Sequence, residues 1–200
     1  MKKRILALLI AAVMLLSLTA CGEGKKTQTD AEVTSSESVE KEAETTEKSA
    51  SVPALGNFTS IDMDGNEVTS DIFKGKKVTM VNIWATFCGP CIKEMPDLEK
   101  LNKAYADKGF QVVGIVCDVF SVGDGKYDEQ LLDDAEHIVE QTGVTYLNIL
   151  PSESLDEAKL SDVLSVPETI FVDEDGNQIG ESFIGSRDYE DWAAIIEDIL

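Results

Sequence analysis

Patterns for metal binding and for a disulfide scaffold are missing from this chain. It has one histidine and four cysteines in 200 residues, and only Cys88 and Cys91 stand close together. No second cysteine pair and no spaced histidines complete a tetrahedral zinc site. A folded part of about 150 residues also buries enough core to need no disulfide staples. We therefore expect no metal site and no disulfide framework.

Basic residues are scarce as well. Lysine and arginine number 17 against 38 aspartate and glutamate residues, which gives a formal net charge of −21. Nucleic acid and anionic lipid headgroups are both negative, so such a chain repels them as docking surfaces. The charge excludes nucleic-acid binding and otherwise indicates solubility.

The first 21 residues carry a targeting pattern. A positive start at 2–4 precedes an apolar run, 5–16, that is too short to span a bilayer. Leu18-Thr19-Ala20-Cys21 then resembles the lipobox of bacterial lipoproteins, whose cysteine becomes the acylated N-terminus. We expect residues 1–20 to be a lipoprotein signal peptide and Cys21 the lipid attachment site of an extracytoplasmic, membrane-anchored protein. Ordinary secretory cleavage or an uncleaved anchor is the alternative, and each also delivers the domain outside the cytoplasm.

Composition divides the remainder into two parts. Residues 22–51 contain no aromatic residue and almost no large apolar one, so they cannot bury enough surface to fold. We predict a lipidated, disordered acidic tether at 21–51 and one folded domain at 52–200, a common domain size.

Within the domain, short β-prone runs alternate with helical periodicities. The run 77–84 is apolar, as expected of a buried strand, and a helix with apolar residues every three or four positions follows it until Gly109. Pro96 lies inside that helix and is expected to kink it. The predicted elements are a hairpin of 58–61 and 67–69, strands 77–84, 110–119, 146–150, 168–172 and 178–184, and helices from 88 and at 127–141, 155–164 and 189–200.

The two neighbouring cysteines lie where the first buried strand gives way to a helix, in the sequence Trp84-Ala-Thr-Phe-Cys-Gly-Pro-Cys91. Unpaired N–H groups and the helix dipole favour an anion at a helix N-terminus, which lowers the pKa of a thiol there below about 8.5. We therefore expect Cys88 to be the nucleophile of thiol-disulfide exchange. Cys91, one turn later and more shielded, is expected to resolve the mixed disulfide.

The motif, the element order and a Val-Pro about 75 residues further on resemble the thioredoxin superfamily, and more narrowly the membrane-tethered thiol-disulfide oxidoreductases of the TlpA/ResA type. The resemblance covers 52–200. It implies an α/β, thioredoxin-like fold: a central mixed sheet with helices on both faces, an N-terminal β-hairpin extension and an inserted helix. It implies no cofactor.

The resemblance also assigns residues to the substrate. It implies that Pro167 is cis and faces the active-site disulfide, and that the Val166 backbone pairs with an extended substrate chain. Trp84, Gly89 and Pro90 complete the implied substrate-binding set. A trans turn at Pro167 is the alternative.

A proton acceptor for Cys91 is expected at Glu94. Thioredoxins carry a buried aspartate two residues before the motif's tryptophan, but this chain has Asn82 there. Glu94 matches the glutamate of the family's Lys-Glu-Met-Pro-like segment and lies on the helical face of Cys91. A carboxyl in this role needs a pKa raised by burial. The alternative is a solvated glutamate.

Two residues depart from the family pattern. Phe87 replaces the usual tryptophan, a mild change. Glu168 replaces the threonine that usually follows the cis-proline, and either places a negative charge near Cys88 or turns into solvent. Elsewhere, Cys117 is interpreted as a buried structural cysteine, with a third redox thiol as the alternative, and His137 as a surface residue.

The expected function is reduction of protein disulfides outside the cytoplasm, with a monomeric chain re-reduced by a membrane thiol donor of the CcdA/DsbD type. Gly-Pro between the cysteines favours this direction, since thioredoxin, with the same dipeptide, has a potential of about −270 mV against about −120 mV for DsbA. A disulfide-forming oxidase or isomerase is the alternative enzyme. The motif lacks the Thr-x-x-Cys site and the arginine expected of a thiol peroxidase, and the chain lacks the ligands expected of a metal carrier. A non-catalytic lipoprotein binding module is the alternative from another class of function.

Overall fold

The computed structural model describes residues 54–200. The predicted signal peptide, the predicted tether and Cys21 lie outside these residues. Within them, no helix is long and apolar enough to cross a membrane. The elements are β1 (Thr59–Ile61), β2 (Glu67–Thr69), β3 (Val78–Trp84), α1 (Gly89–Tyr105), β4 (Phe110–Val116), β5 (Phe120–Ser121), β6 (Lys126–Tyr127), α2 (Glu129–Thr142), β7 (Leu147–Ile149), α3 (Glu153–Ala158), β8 (Glu168–Val172), β9 (Gln178–Ile184) and α4 (Tyr189–Ile199).

Five strands form the central sheet in the order β7-β4-β3-β8-β9. β3 pairs in parallel with β4, and β4 with β7, whereas β8 and β9 run antiparallel. β3 is central, and all seven of its residues are buried, which explains why its sequence is apolar except at Thr79 and Asn82. The expected mixed sheet of a thioredoxin-like α/β fold is confirmed.

Alternate residues of β3 face two separate cores. Met80 and Trp84 pack in the core that also contains buried residues of α1, α2 and α4. Val81 and Ile83 pack in a second core with Phe73 and with Leu155 of α3. Because side chains alternate across a strand, the sheet separates these layers and carries helices on both faces.

Local capping explains where the helices begin and end. α1 begins after Cys88, whose side chain caps it, and Pro90 lies in its first turn, where a missing N–H costs nothing. Asp128 caps α2 by accepting hydrogen bonds from two backbone N–H groups, and Gly143 closes that helix with a φ of 68°. α1 contains Pro96 and is assigned as one helix throughout.

Some predicted boundaries were wrong. The strand expected at 110–119 ends at Val116, and a small hairpin, β5–β6, follows it. The helix expected at 155–164 is divided into α3 and a 3-10 turn at Leu160–Asp162. The N-terminal hairpin is confirmed as the antiparallel pair β1–β2.

Candidate active site

Cys88 and Cys91 form a disulfide at the N-terminus of α1. Cys88 is the N-cap residue, and its Sγ accepts the Cys91 backbone N–H at 3.2 Å. Cys91 is fully buried, and Cys88 is 6% exposed. A helix N–H group therefore already points at Cys88 Sγ, and this group and the helix dipole are expected to stabilise a thiolate once the disulfide opens.

The loop between β3 and Cys88 is held by Asp118, a residue that sequence reasoning missed. Its carboxylate accepts the Thr86 N–H at 3.0 and 3.1 Å and the Thr86 hydroxyl at 2.6 Å. The Cys117 N–H donates to the Trp84 carbonyl at 2.8 Å. A polar residue at the carboxyl end of a parallel strand was the available signal.

Trp84 lies beneath the site. Its side chain is fully buried, and its Nε1–H donates to Asn148 Oδ1 at 3.1 Å. Both pack against Gly114, where an added Cβ would lie 2.0 Å from Asn148 Oδ1. The ring is therefore not accessible to a substrate in this conformation, and the place of Trp84 in the substrate-binding set stays a prediction. Gly89 and Pro90 are exposed and accessible to a partner.

Glu94 is 3% exposed, on α1 one turn beyond Cys91. Its Oε1 accepts from Asn82 Nδ2 at 3.0 Å, and its Oε2 accepts from the Arg187 N–H at 3.1 Å and from Trp192 Nε1 at 3.4 Å. Burial raises the pKa of Glu94, and these hydrogen bonds act in the opposite direction. The solvated alternative is excluded for this conformation.

Arg187 is a second residue that sequence reasoning missed, and no sequence pattern indicated it. Its guanidinium lies 5.0 Å from the ring centroids of both Phe183 and Trp192, within the range of cation–π attraction. Its positive charge lowers the pKa of Glu94, which burial raises. A pocket of about 330 Å³, lined in part by Pro90 and Arg187, opens next to Glu94.

Phe87, the residue before Cys88, lines a mostly apolar groove of about 450 Å³ together with Cys117 and Val166. The peptide bond between Val166 and Pro167 is cis, as expected, and the Val166 backbone has no hydrogen-bond partner within 54–200. Two large apolar side chains line the groove while exposed to solvent, Phe87 at 78% and Leu164 at 95%. An open backbone edge and apolar walls suit an extended peptide.

Glu168 follows Pro167 but does not turn into solvent. It is 4% exposed, and its Oε1 contacts Lys159 Nζ at 2.5 Å in a largely buried ion pair. Of the two alternatives for Glu168, the solvated side chain was wrong, because a lysine nine residues earlier, beyond α3, reaches back to it.

Two further residues follow their sequence interpretation. Cys117 is a free, half-buried thiol whose pKa is raised to about 11 by burial and by the neighbouring Asp118. His137 is exposed on α2. Within 54–200, no group of three or more histidine, cysteine or acidic residues could hold a metal ion.

Fold and site together define a thioredoxin-like protein with an adjacent cysteine pair. The Redoxin family model matches residues 47–195, so the chain belongs to the Redoxin family. It is a TlpA/ResA-type member of the thioredoxin superfamily.

Individual relatives agree with this assignment. The chain is 27% identical over 125 residues to thiol-disulfide oxidoreductase ResA of Bacillus thuringiensis subsp. konkukian, which covers 62% of this chain and 65% of the relative. It is 48% identical over 52 residues to thioredoxin-like protein YneN of Bacillus subtilis, which covers 26% of this chain and 30% of the relative. The matches thus span less than two thirds of these relatives.

Solved structures share the fold. A thiol:disulfide interchange protein of the thioredoxin family from Chlorobium tepidum has a TM-score of 0.61 and 26% identity, covering 76% of this chain and 98% of its own. StoA from Bacillus subtilis has a TM-score of 0.53 and 20% identity, covering 70% and 96%.

Proposed function

We propose that this protein is an extracytoplasmic thiol-disulfide oxidoreductase that reduces disulfides in proteins. The observation that carries the proposal is the Cys88–Cys91 disulfide at the N-terminus of α1, with Cys91 buried and Glu94 one turn further along. The names of the ResA relative and of the Chlorobium tepidum structure describe the same chemistry.

The reaction starts from the dithiol form. The Cys88 thiolate attacks one sulfur of the substrate disulfide, and a mixed disulfide forms as the first substrate thiolate leaves. Cys91 then gives its proton to the Glu94 carboxylate and attacks Cys88 Sγ, which releases the second substrate thiolate. Two electrons pass to the substrate, and the protein becomes the disulfide form described above.

The substrate is proposed to lie along Val166 and Pro167. The unpaired Val166 backbone supports one added strand, and the groove between Phe87 and Leu164 supports an apolar side chain near the substrate's cysteine. Gly89 and Pro90 are the exposed residues over which the mixed disulfide would form.

The proposed setting follows from the N-terminal sequence. Cys21 is proposed to carry lipid after removal of 1–20, and 21–51 to tether a monomeric domain 52–200 beside the bacterial cell membrane. A membrane thiol donor of the CcdA/DsbD type would return two electrons to the disulfide. Incorporation of labelled fatty acid, and its loss in Cys21→Ser, tests this arrangement.

The equilibrium potential of the Cys88/Cys91 couple tests the direction. The full chain is titrated in thiol-disulfide buffers, and the alkylated peptide that contains both cysteines is quantified by mass spectrometry, so that Cys21 and Cys117 do not interfere. A potential near or below about −250 mV supports a reductase, whereas one above about −180 mV makes the protein an oxidase or isomerase. Failure to form the disulfide would favour a non-catalytic binding module.

Trapping tests the substrate class. Cys91→Ser should accumulate mixed disulfides with protein partners through Cys88, because the resolving thiol is gone. Cys88→Ser should capture none, and Cys117→Ser should behave as wild type. Equal capture by Cys88→Ser would contradict the assigned nucleophile.

A further inference from the structure

Three buried polar side chains meet between the central sheet and α1. The β3–β8 register places Asn82 opposite Thr169, and Glu94 approaches from the helix. Asn82 is fully buried, Thr169 is 1% exposed and Glu94 is 3% exposed. Such groups persist in a core only when their hydrogen bonds are satisfied, so their pairing is informative.

The Asn82 amide has one defined orientation, with its N–H₂ group toward Glu94 and Thr169. Its Nδ2 donates one hydrogen to Glu94 Oε1 and the other to Thr169 Oγ1, each at 3.0 Å. Its Oδ1, equally buried, has no hydrogen-bond partner within the described part of the chain. An unpaired buried carbonyl oxygen is unfavourable. The site therefore keeps the N–H₂ group aimed at Glu94 although the other end of the amide is unsatisfied.

We propose that Asn82 and Thr169 are positioning residues that hold a hydrogen-bond donor against Glu94 and so keep its carboxylate available to accept the Cys91 proton. This inference rests on the proposed function. Thr169 acts by accepting the second Nδ2 hydrogen, which disfavours rotation of the amide. Asn82 acts on Glu94 alone and touches neither sulfur in the described contacts.

A donor on Oε1 matters because burial disfavours the charged form of this carboxyl. The other groups facing Glu94 are the Arg187 N–H and the Trp192 Nε1–H on Oε2, the Arg187 charge, and Tyr146, which interacts with Glu94 electrostatically. Lys93 and Asp97 line the nearby pocket.

Within residues 54–200, Asn82 is the one hydrogen-bond donor to Glu94 Oε1, and its side chain is uncharged. An aspartate at this position would set two carboxyls against each other and oppose ionisation. The asparagine thus gives Glu94 a neutral donor at the position where thioredoxins carry their own buried acid.

The consequence concerns the second half of the exchange reaction. When Cys91 attacks the mixed disulfide, its S–H proton moves to Glu94, the Cys91–Cys88 bond forms and the bond from Cys88 to the substrate breaks. Only ionised Glu94 accepts that proton. Loss of the Asn82 donor leaves fewer carboxylates ready at a given pH, so resolution slows on the acidic side and its pH profile moves upward.

The test is a pH titration of Glu94 in the full-length oxidised chain, followed by carbon-13 NMR of its carboxyl and assigned with Glu94→Gln. Asn82→Leu removes the donor at similar volume and should raise the midpoint by about one pH unit, a tenfold change in proton affinity. Thr169→Val, which keeps its shape but loses the acceptor, should shift the midpoint the same way by less. Thr169→Ser keeps a hydroxyl and should restore the wild-type midpoint.

A kinetic measurement accompanies the titration. The mixed disulfide of the reduced chain with a peptide is formed, and its resolution rate is followed from pH 5 to 9. The profile of each variant should move with its NMR midpoint. Unchanged midpoints in folded Asn82→Leu and Thr169→Val overturn the proposal, as do shifted midpoints with an unshifted rate profile.

Folding and the proposed function are controlled separately. If Asn82→Leu does not fold, the matched pair Thr169→Val and Thr169→Ser decides the outcome, because valine keeps the shape of threonine without its hydroxyl and serine keeps the hydroxyl without the methyl group. Failure of the proposed function gives a different result, because the wild-type chain would then form no mixed disulfide at any pH. The NMR midpoints do not depend on that reaction, so they still show whether loss of the donor changes the titration of Glu94.

Discussion

Lys159 and Glu168 form a largely buried ion pair at the residue that follows cis-Pro167. The lysine lies just beyond α3, and the glutamate begins β8. The pair thus fastens to the sheet the segment that supplies Leu160, Val163 and Leu164 to the apolar groove. The ion pair thus fixes one wall of the proposed substrate surface.

Breaking this pair should destabilise the protein. Lys159→Met leaves the Glu168 carboxylate buried without its partner, which typically costs about 3–5 kcal/mol. Urea unfolding of the oxidised chain measures this. The double variant Lys159→Met/Glu168→Leu should regain most of the loss, because neither charge remains. Lys74→Met, at the exposed pair with Asp71, is the matched control and should change stability by less than about 1 kcal/mol. An equal loss in both lysine variants would contradict the role of burial.

The groove should distinguish protein substrates from small disulfides. Leu164→Asp places a charge on a wall that is exposed before binding, so folding is unaffected while an apolar substrate side chain loses its contact. For a disulfide-bonded peptide with leucine beside its cysteine, kcat/KM should fall about tenfold, corresponding to about 1.4 kcal/mol.

Controls for the groove come from substrate and variant alike. Reduction of an oxidised small-molecule dithiol should remain near wild type in Leu164→Asp. Val122→Asp, at an exposed apolar residue that does not line the groove, should leave both substrates unaffected. A similar decrease with both substrates would indicate damage to the disulfide itself.

Stability should depend on pH through Glu94. Its pKa is raised in the folded state, mainly by burial, so the folded protein holds this proton more strongly than the unfolded chain. The corresponding stabilisation is present below the unfolded pKa and is lost as pH rises through the folded one. Glu94→Gln has no proton to release at this position, so its stability does not decrease with pH for this reason. Its free energy of unfolding relative to wild type should therefore increase from pH 4 to pH 8 in urea titrations, and a constant difference would be the contrary result.

Cys117 should resist alkylation in the native chain. With its pKa raised to about 11, its thiolate fraction at pH 8 is on the order of 0.1%, and the thiolate is the reactive form. Iodoacetamide should modify it roughly 100-fold more slowly than in the same chain unfolded in guanidinium with the disulfide intact. Peptide mass spectrometry provides the rates, and equal rates would revive the alternative of a third redox thiol.

The sequence predicted those features that local patterns determine. The apolar run of β3, the glycine that ends the first helical segment and the strong Cys-Gly-Pro-Cys motif are all contiguous in the chain. They were enough to predict the element order and the site of the disulfide, because each depends on neighbours within one or two turns. The burial of Glu94 was expected from the family resemblance instead, and the groups that surround its carboxyl come from distant segments.

Features that depend on contacts between distant segments were missed or wrong. Asp118 holds Thr86 across 32 residues, and Arg187 reaches Glu94 across 93. Neither contact has a periodic signal. The β5–β6 strands have two residues each, too few to show an alternation. The burial of the Trp84 ring was also not expected, because it follows from the strand's alternation and from Asn148, 64 residues away. Its place in the substrate-binding set stays a prediction.

Gly114 has room for no side chain beneath Trp84, and this crowding has a consequence for the redox cycle. The indole is fastened to Asn148, and the strand below it admits no extra atom. The platform from which the Cys88 loop departs thus has one packing arrangement. We therefore expect little movement of Trp84 when the sulfur–sulfur bond is made or broken, and we expect rearrangement during electron exchange on the surface on which the substrate arrives.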